Sequence, residues 1–181
     1  AEPGKASKIL LQFSTHTYNA YNNWGGFSLY AFHGRGGNQG HRVSYERPPS
    51  SQYSNWEQPF VEWAERNGFT LDYAANGELE FHPEILKAYR LVLSVGHDEY
   101  WSAPMRDNLE KFIGDGGNVA FFSGNTCCWQ VRSEDGGQAR RQVLGLRHPV
   151  GALGQADLGL GAGDPLPHGR LGDEERLRDL G

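Results

Sequence analysis

From residue 8 to about residue 122 the chain alternates short apolar runs with longer stretches at helical spacing, the pattern of strands and helices in turn. Residues 8–13 predict a strand with an apolar centre, and residues 42–45 a short strand ended by Arg47-Pro48-Pro49. A helix is predicted from Ser54, because Ser54 and Glu57 form an S-x-x-E capping box. Trp56, Phe60, Val61, Trp63 and Ala64 then recur on one helical face, and Asn67-Gly68 supplies a left-handed cap. Residues 69–73 read as a strand. His82-Pro83 opens a short helix through Tyr89, with proline where its missing N–H costs nothing. Residues 90–95 read as a strand. Ser102 caps the next helix, with Pro104 in its first turn and Met105, Leu109, Phe112 and Ile113 towards the core. Gly116-Gly117 ends it, and residues 118–122 read as another buried strand.

Strand–helix–strand repetition with short joints implies parallel strands and right-handed crossovers. The expected fold is α/β, a flavodoxin-like three-layer sandwich with a mostly parallel sheet.

The densest chemistry follows the run Leu91-Val92-Leu93-Ser94-Val95. Gly96 stops it, and His97-Asp98-Glu99-Tyr100-Trp101 come at once. Open α/β sheets bind ligands at the carboxyl ends of their strands, so these side chains lie where an active site is expected. A single acid before a helix would be accounted for by the helix dipole, at about 0.3–1 kcal/mol. That does not account for the triplet. His97 and Glu99, two apart, can reach one centre while Asp98 turns away. The polar stretch over residues 15–26 leaves the carboxyl end of the first strand, at the same sheet edge, and reads as a long functional loop. A histidine and a carboxylate beside phenols suit a hard ion such as ferric iron.

Other motifs carry less. Gly34-Arg35-Gly36-Gly37-Asn38 lacks the G-K-[ST] ending of a phosphate loop and reads as a mobile loop. Cys127 and Cys128 are adjacent, which disfavours a mutual disulfide, and read as small core residues in a reduced, cytoplasmic setting. His33, His41 and His82 read as solvated or capping side chains.

Composition narrows the picture further. With 17 basic against 22 acidic residues the chain has no basic surface for nucleic acid. No apolar run is long enough to span a bilayer, and Ala1-Glu2-Pro3-Gly4 does not open a signal peptide. No aromatic residue follows Trp129. The expected organisation is therefore one α/β domain over residues 1–132, then residues 133–181, a short helix and a Gly/Leu-rich tail that is poorly packed or atypical.

Four blocks jointly resemble the large (beta) subunit of the N,N-dimethylformamidase family. They are Thr17-Tyr18-Asn19-Ala20-Tyr21-Asn22-Asn23-Trp24-Gly25-Gly26, Ser28-Leu29-Tyr30, Val43-Ser44-Tyr45-Glu46-Arg47-Pro48 and Gly96-His97-Asp98-Glu99-Tyr100-Trp101. Gly116-Gly117-Asn118 and Ser123-Gly124-Asn125 continue the likeness. The resemblance implies a class I glutamine-amidotransferase-like domain of an amidohydrolase that cleaves a small formamide-type amide to a carboxylate and an amine. It implies a mononuclear iron held by two tyrosinates and a glutamate, matched here by Tyr21, Tyr45 (with Tyr18 in reserve) and Glu99. His97 beside it is then an acid–base group, and Asn22 or Asn23, by its place in the same loop, is expected as an oxyanion donor. A small partner subunit or homo-oligomer is also implied. The family's subunit is several times longer than this chain. A cysteine amidotransferase is disfavoured, because the strand–helix turn carries His97-Asp98-Glu99 where that mechanism needs a cysteine. A non-catalytic scaffold is the remaining alternative.

Overall fold

A computed structural model of the chain describes residues 2–134 and 143–146. Four parallel strands form the main sheet: β1 (Ile9–Phe13), β3 (Asp72–Ala75), β4 (Leu91–His97) and β6 (Asn118–Gly124), in the spatial order β3-β1-β4-β6. Strand alternation sends Leu11, Leu93 and Val95 to one face, where Val61 and Ala64 of α2 (Glu57–Arg66) cover them. Leu10 and Val92 point to the other face. There they meet Leu79 of α3 (Asn76–Phe81), Leu86 of the 3-10 turn Pro83–Ala88, and Met105 and Leu109 of α4 (Ala103–Gly114). The result is an α/β three-layer sandwich around a mostly parallel sheet.

A second, mixed sheet was not legible in the sequence. It is ordered β2-β8-β7-β5, from β2 (Arg42–Ser44), β5 (Tyr100–Ser102), β7 (Trp129–Glu134) and β8 (Val143–Leu146). Its buried cluster includes Leu29, Val43, Tyr100 and Val131, with Ala20 of α1 (Thr15–Tyr21). The boundary expected at residue 132 falls within β7. The remainder of the expected 133–181 segment, apart from β8, lies outside the described residues.

Several local expectations change. The stretch expected as a loop from residue 15 begins as helix α1, followed by short 3-10 turns. Five of its seven residues, His16 to Ala20, are buried, so it shows no polar face for a periodicity argument to find. The capping box does not form: α2 starts at Glu57, no side chain caps it, and Glu57 is itself fully buried. Trp63 and Ile113 are about half exposed, and β6 is an edge strand of the main sheet with Phe122 62% exposed. Ser102 does cap α4, accepting from the Met105 backbone N–H at 3.3 Å.

Candidate functional site

Successive crossovers run in opposite directions from β1, to β3 on one side and then back to β4 on the other. Ligands of open sheets gather at such a switch point, outside the carboxyl ends of the strands. At this point β1 passes through Ser14 into α1, and β4 passes through His97-Asp98-Glu99 into β5. Gly96 makes the exit possible. Its φ of +89° is one that side chains rarely adopt, and a Cβ there would lie 2.7 Å from the Trp56 Cβ. Trp56 in turn packs its ring against His97, with centroids 5.4 Å apart.

Glu99 is held from both sides of its own peptide. Its N–H donates to Thr17 Oγ1 at 2.9 Å, and its carbonyl accepts from the Trp129 N–H at 2.9 Å. The carboxylate then meets two other groups. Tyr21 Oη lies 3.0 Å from Oε1 and 3.1 Å from Oε2, and His97 Nδ1 lies 3.1 Å from Oε1. The Glu99 side chain is 4% exposed, whereas that of His97 is 34% exposed, so the histidine is the solvent-side member of the group. Burial, and then the Glu99 charge, push the Tyr21 phenol upward, so it is a proton donor to that carboxylate. Tyr30 stacks on the Tyr21 ring at 4.4 Å, and His33 meets it edge-on and bonds the Tyr21 carbonyl through Nδ1 at 3.0 Å.

One helical turn before Tyr21, Tyr18 donates to Glu57 in a very short hydrogen bond. Burial raises the Glu57 carboxyl, and the Tyr18 hydrogen bond opposes that rise. Glu57 Oε2 is buried without a partner. Two phenols on α1 thus serve two carboxylates, Glu57 and Glu99.

Asp98 turns the other way, as expected, and is fully buried. It accepts from Gln12 Nε2 at 2.6 Å and Ser94 Oγ at 2.9 Å, tying β1 to β4. Burial outweighs these bonds and pushes its carboxyl up to about 6. Its role is to brace the turn.

The remaining sequence-predicted residues lie apart from the Glu99 carboxylate's hydrogen-bond partners. Asn22 donates from Nδ2 to the Pro48 carbonyl at 2.9 Å and accepts from the Trp24 N–H at 2.9 Å. The Tyr45 ring lies 6.2 Å from that of His16, and its buried hydroxyl has no hydrogen-bond partner. Tyr18, Asn22 and Tyr45 line a common cleft of about 250 Å³. Cys127 is no nucleophile here, since burial pushes its thiol up to about 12.

Sequence reasoning missed Glu57, Tyr30 and His33. The i, i+3 spacing of Tyr18 and Tyr21 was a readable signal once α1 is known to be a helix. Nothing in the sequence marked Glu57, whose place after Trp56 imitates a cap.

Among the described residues, no group of three or more His, Cys, Asp or Glu side chains is placed to hold a metal ion. Phenol and carboxylate are a different donor set, hard oxygen atoms suited to iron rather than to a soft metal. Tyr21 Oη and the Glu99 oxygens, 3.0 and 3.1 Å apart, are hard donors of that kind.

Comparison with known proteins agrees with the sequence blocks. Residues 1–158 match the family described as N,N-dimethylformamidase beta subunit-like, C-terminal. The chain is 32% identical over 83 residues to the N,N-dimethylformamidase beta subunit of an Alcaligenes species, covering 43% of this chain and 11% of that protein. The same figures hold for the beta subunit of Paracoccus aminophilus. The chain spans about a tenth of the length of the curated relatives it matches. Because the family match covers the main sheet and every site residue named above, this chain belongs to the N,N-dimethylformamidase beta subunit-like C-terminal family.

Proposed function

We propose that this domain carries the reactive centre of an N,N-dimethylformamidase-like amidohydrolase, cleaving a small formamide-type amide to a carboxylate and an amine. The observation that carries the reading is the contact of Tyr21 Oη with both oxygens of Glu99, with His97 on the same carboxylate. In this reading a mononuclear iron is held by Tyr21 and Glu99 with a further tyrosine, Tyr45 or Tyr18. Bound there, iron supplies Lewis acidity towards the amide carbonyl and a lowered pKa for water.

The chain's own groups do the rest. Glu99 fixes His97 through Nδ1, which leaves Nε2 as the nitrogen that takes a proton from water and returns it to the departing amine. Asn22, with one amide N–H bound to Pro48, offers its second to a developing oxyanion. The stack of Tyr30 on Tyr21 keeps the phenol in place. The relatives are named as beta subunits, which supports a chain that works with a partner subunit or a second copy.

A scaffold role is the second reading. Trp24, Phe27 and Phe32, in the segment after α1, are 56%, 66% and 81% exposed, and a contiguous surface of such residues normally lies against another polypeptide.

Iron content, visible absorbance and amide hydrolysis of the wild type and Glu99→Ala decide between them. The enzyme reading expects a coloured, iron-loaded, active wild type and an E99A variant lacking all three. Full metal and full activity in E99A would end it.

A further inference from the structure

The solvent-side imidazole of His97 has two neighbours of opposite character. Trp56 packs a ring against it, with centroids 5.4 Å apart. Gly124, its register partner on β6, brings it no side chain at all. A methyl group placed on the Gly124 Cα would have three nearest neighbours outside its own stretch of chain, and all are atoms of the His97 ring. Cε1 lies at 3.4 Å, Nδ1 at 3.7 Å and Nε2 at 3.9 Å. These are ordinary van der Waals distances, so the position accepts a methyl-sized group against the imidazole.

The backbone does not demand glycine there. The φ of Gly124 lies outside the left-handed region, unlike that of Gly96. A glycine in a strand weakens it, and one recurring reason for such a residue is the close approach of a ligand. The space is also reachable from solvent, since Gly124 is exposed at the end of an edge strand. Its rim is apolar. Phe122, two residues earlier on the same face of β6, is exposed, and its ring lies 5.8 Å from that of Phe60.

We propose that Gly124 is a specificity-determining residue: the space it leaves against His97 receives a small alkyl substituent on the amide nitrogen and limits its size. The assignment rests on the amidohydrolase reading, in which His97 Nε2 returns a proton to the departing amine. A nitrogen hydrogen-bonded to Nε2 carries its substituents one bond further out, and the Gly124 position, 3.9 Å from Nε2, lies in that range. The aromatic rim favours a hydrocarbon group there over a charged one.

Hydrolysis of formamide, N,N-dimethylformamide and N,N-diethylformamide by the wild type and Gly124→Ala tests it. Filling the space with one methyl is expected to lower kcat/KM for the dialkyl amides about tenfold relative to formamide, the scale set by one methylene in an apolar pocket. The melting temperature is expected to hold, because the added Cβ makes ordinary contacts. A second measurement needs neither a variant nor turnover. In NMR of the metal-free full chain with excess N,N-dimethylformamide, saturation of the His97 Hε1 signal is expected to transfer to the N-methyl protons. An unchanged substrate ratio in folded G124A, or no transfer in the wild type, overturns the proposal. A wild type that shows the transfer and hydrolyses no amide sinks the amidohydrolase reading instead, and leaves Gly124 lining a site that binds an alkyl amide.

Discussion

Tyr18 gives its phenolic hydrogen bond to Glu57, a side chain with no solvent exposure. The bond joins α1 to the first residue of α2 across the carboxyl edge of the main sheet, so it is both a structural tie and a wall of the site.

Removing one partner leaves the other buried and unsatisfied, which costs more than the bond itself contributes. Tyr18→Phe is expected to destabilise the fold by about 2–3 kcal/mol. Glu57→Gln, which still accepts from the phenol, should cost about 1 kcal/mol or less. Urea midpoints of the two variants measure this; equal losses would show that the bond is not the tie.

Gly96→Ala combines a left-handed backbone with a Cβ 2.7 Å from the Trp56 Cβ. Trp56 must move, and with it the ring that packs on His97. A loss of about 2 kcal/mol or more is expected, with a change in tryptophan fluorescence of the native state. A wild-type midpoint and spectrum would show that the turn tolerates a side chain.

Two fully buried groups titrate in opposite senses. Burial lowers the His16 imidazole from 6.5 to about 4, so its contribution to stability is full above pH 6.5 and is lost as pH falls through about 4. Burial raises the Asp98 carboxyl from 3.8 to about 6, so its contribution is full below pH 3.8 and is lost as pH rises through about 6. Each amounts to about 3 kcal/mol, and between pH 4 and 6 they offset one another. In the metal-free chain, Asp98→Asn is expected to become more stable with rising pH across that window, by about 1 kcal/mol per pH unit. Denaturation midpoints at pH 4.5 and 6 check the sign, and an unchanged slope would contradict it.

The cysteines should differ in reactivity. Cys127, held at about 12 by burial, has roughly a thousandfold less thiolate than an ordinary thiol, while Cys128 is exposed. Alkylation of the native chain near neutral pH should label Cys128 first and reach Cys127 only on unfolding, as read by peptide mass spectrometry.

What the sequence disclosed follows from which interactions are periodic. The strands at 9–13 and 91–97 and helix α4 were legible because their apolar positions match a regular spacing and a cap, and His97 and Glu99 were legible because they end a strand. α1 was not, since its buried residues include His16, Thr17 and Asn19, and the side-chain partners of Thr17 and Asn19, the Glu99 N–H and Arg47, lie far away in sequence. Glu57 was misread for the same reason: a local pattern pointed to its own backbone, and a long-range partner, Tyr18, claimed it. The exposure of Phe122 reflects the position of β6 at the sheet edge, which is a property of topology and not of composition.

The peptide of Glu99 is the seam between the two sheets, pinned by Thr17 on one side and Trp129 on the other. The Tyr21 phenol reaches it from a separate helix, and the imidazole from a turn hinged at a glycine. The Glu99 carboxylate is therefore the place where a helix, a glycine turn and both sheets meet, and a shift of any one of them is registered there.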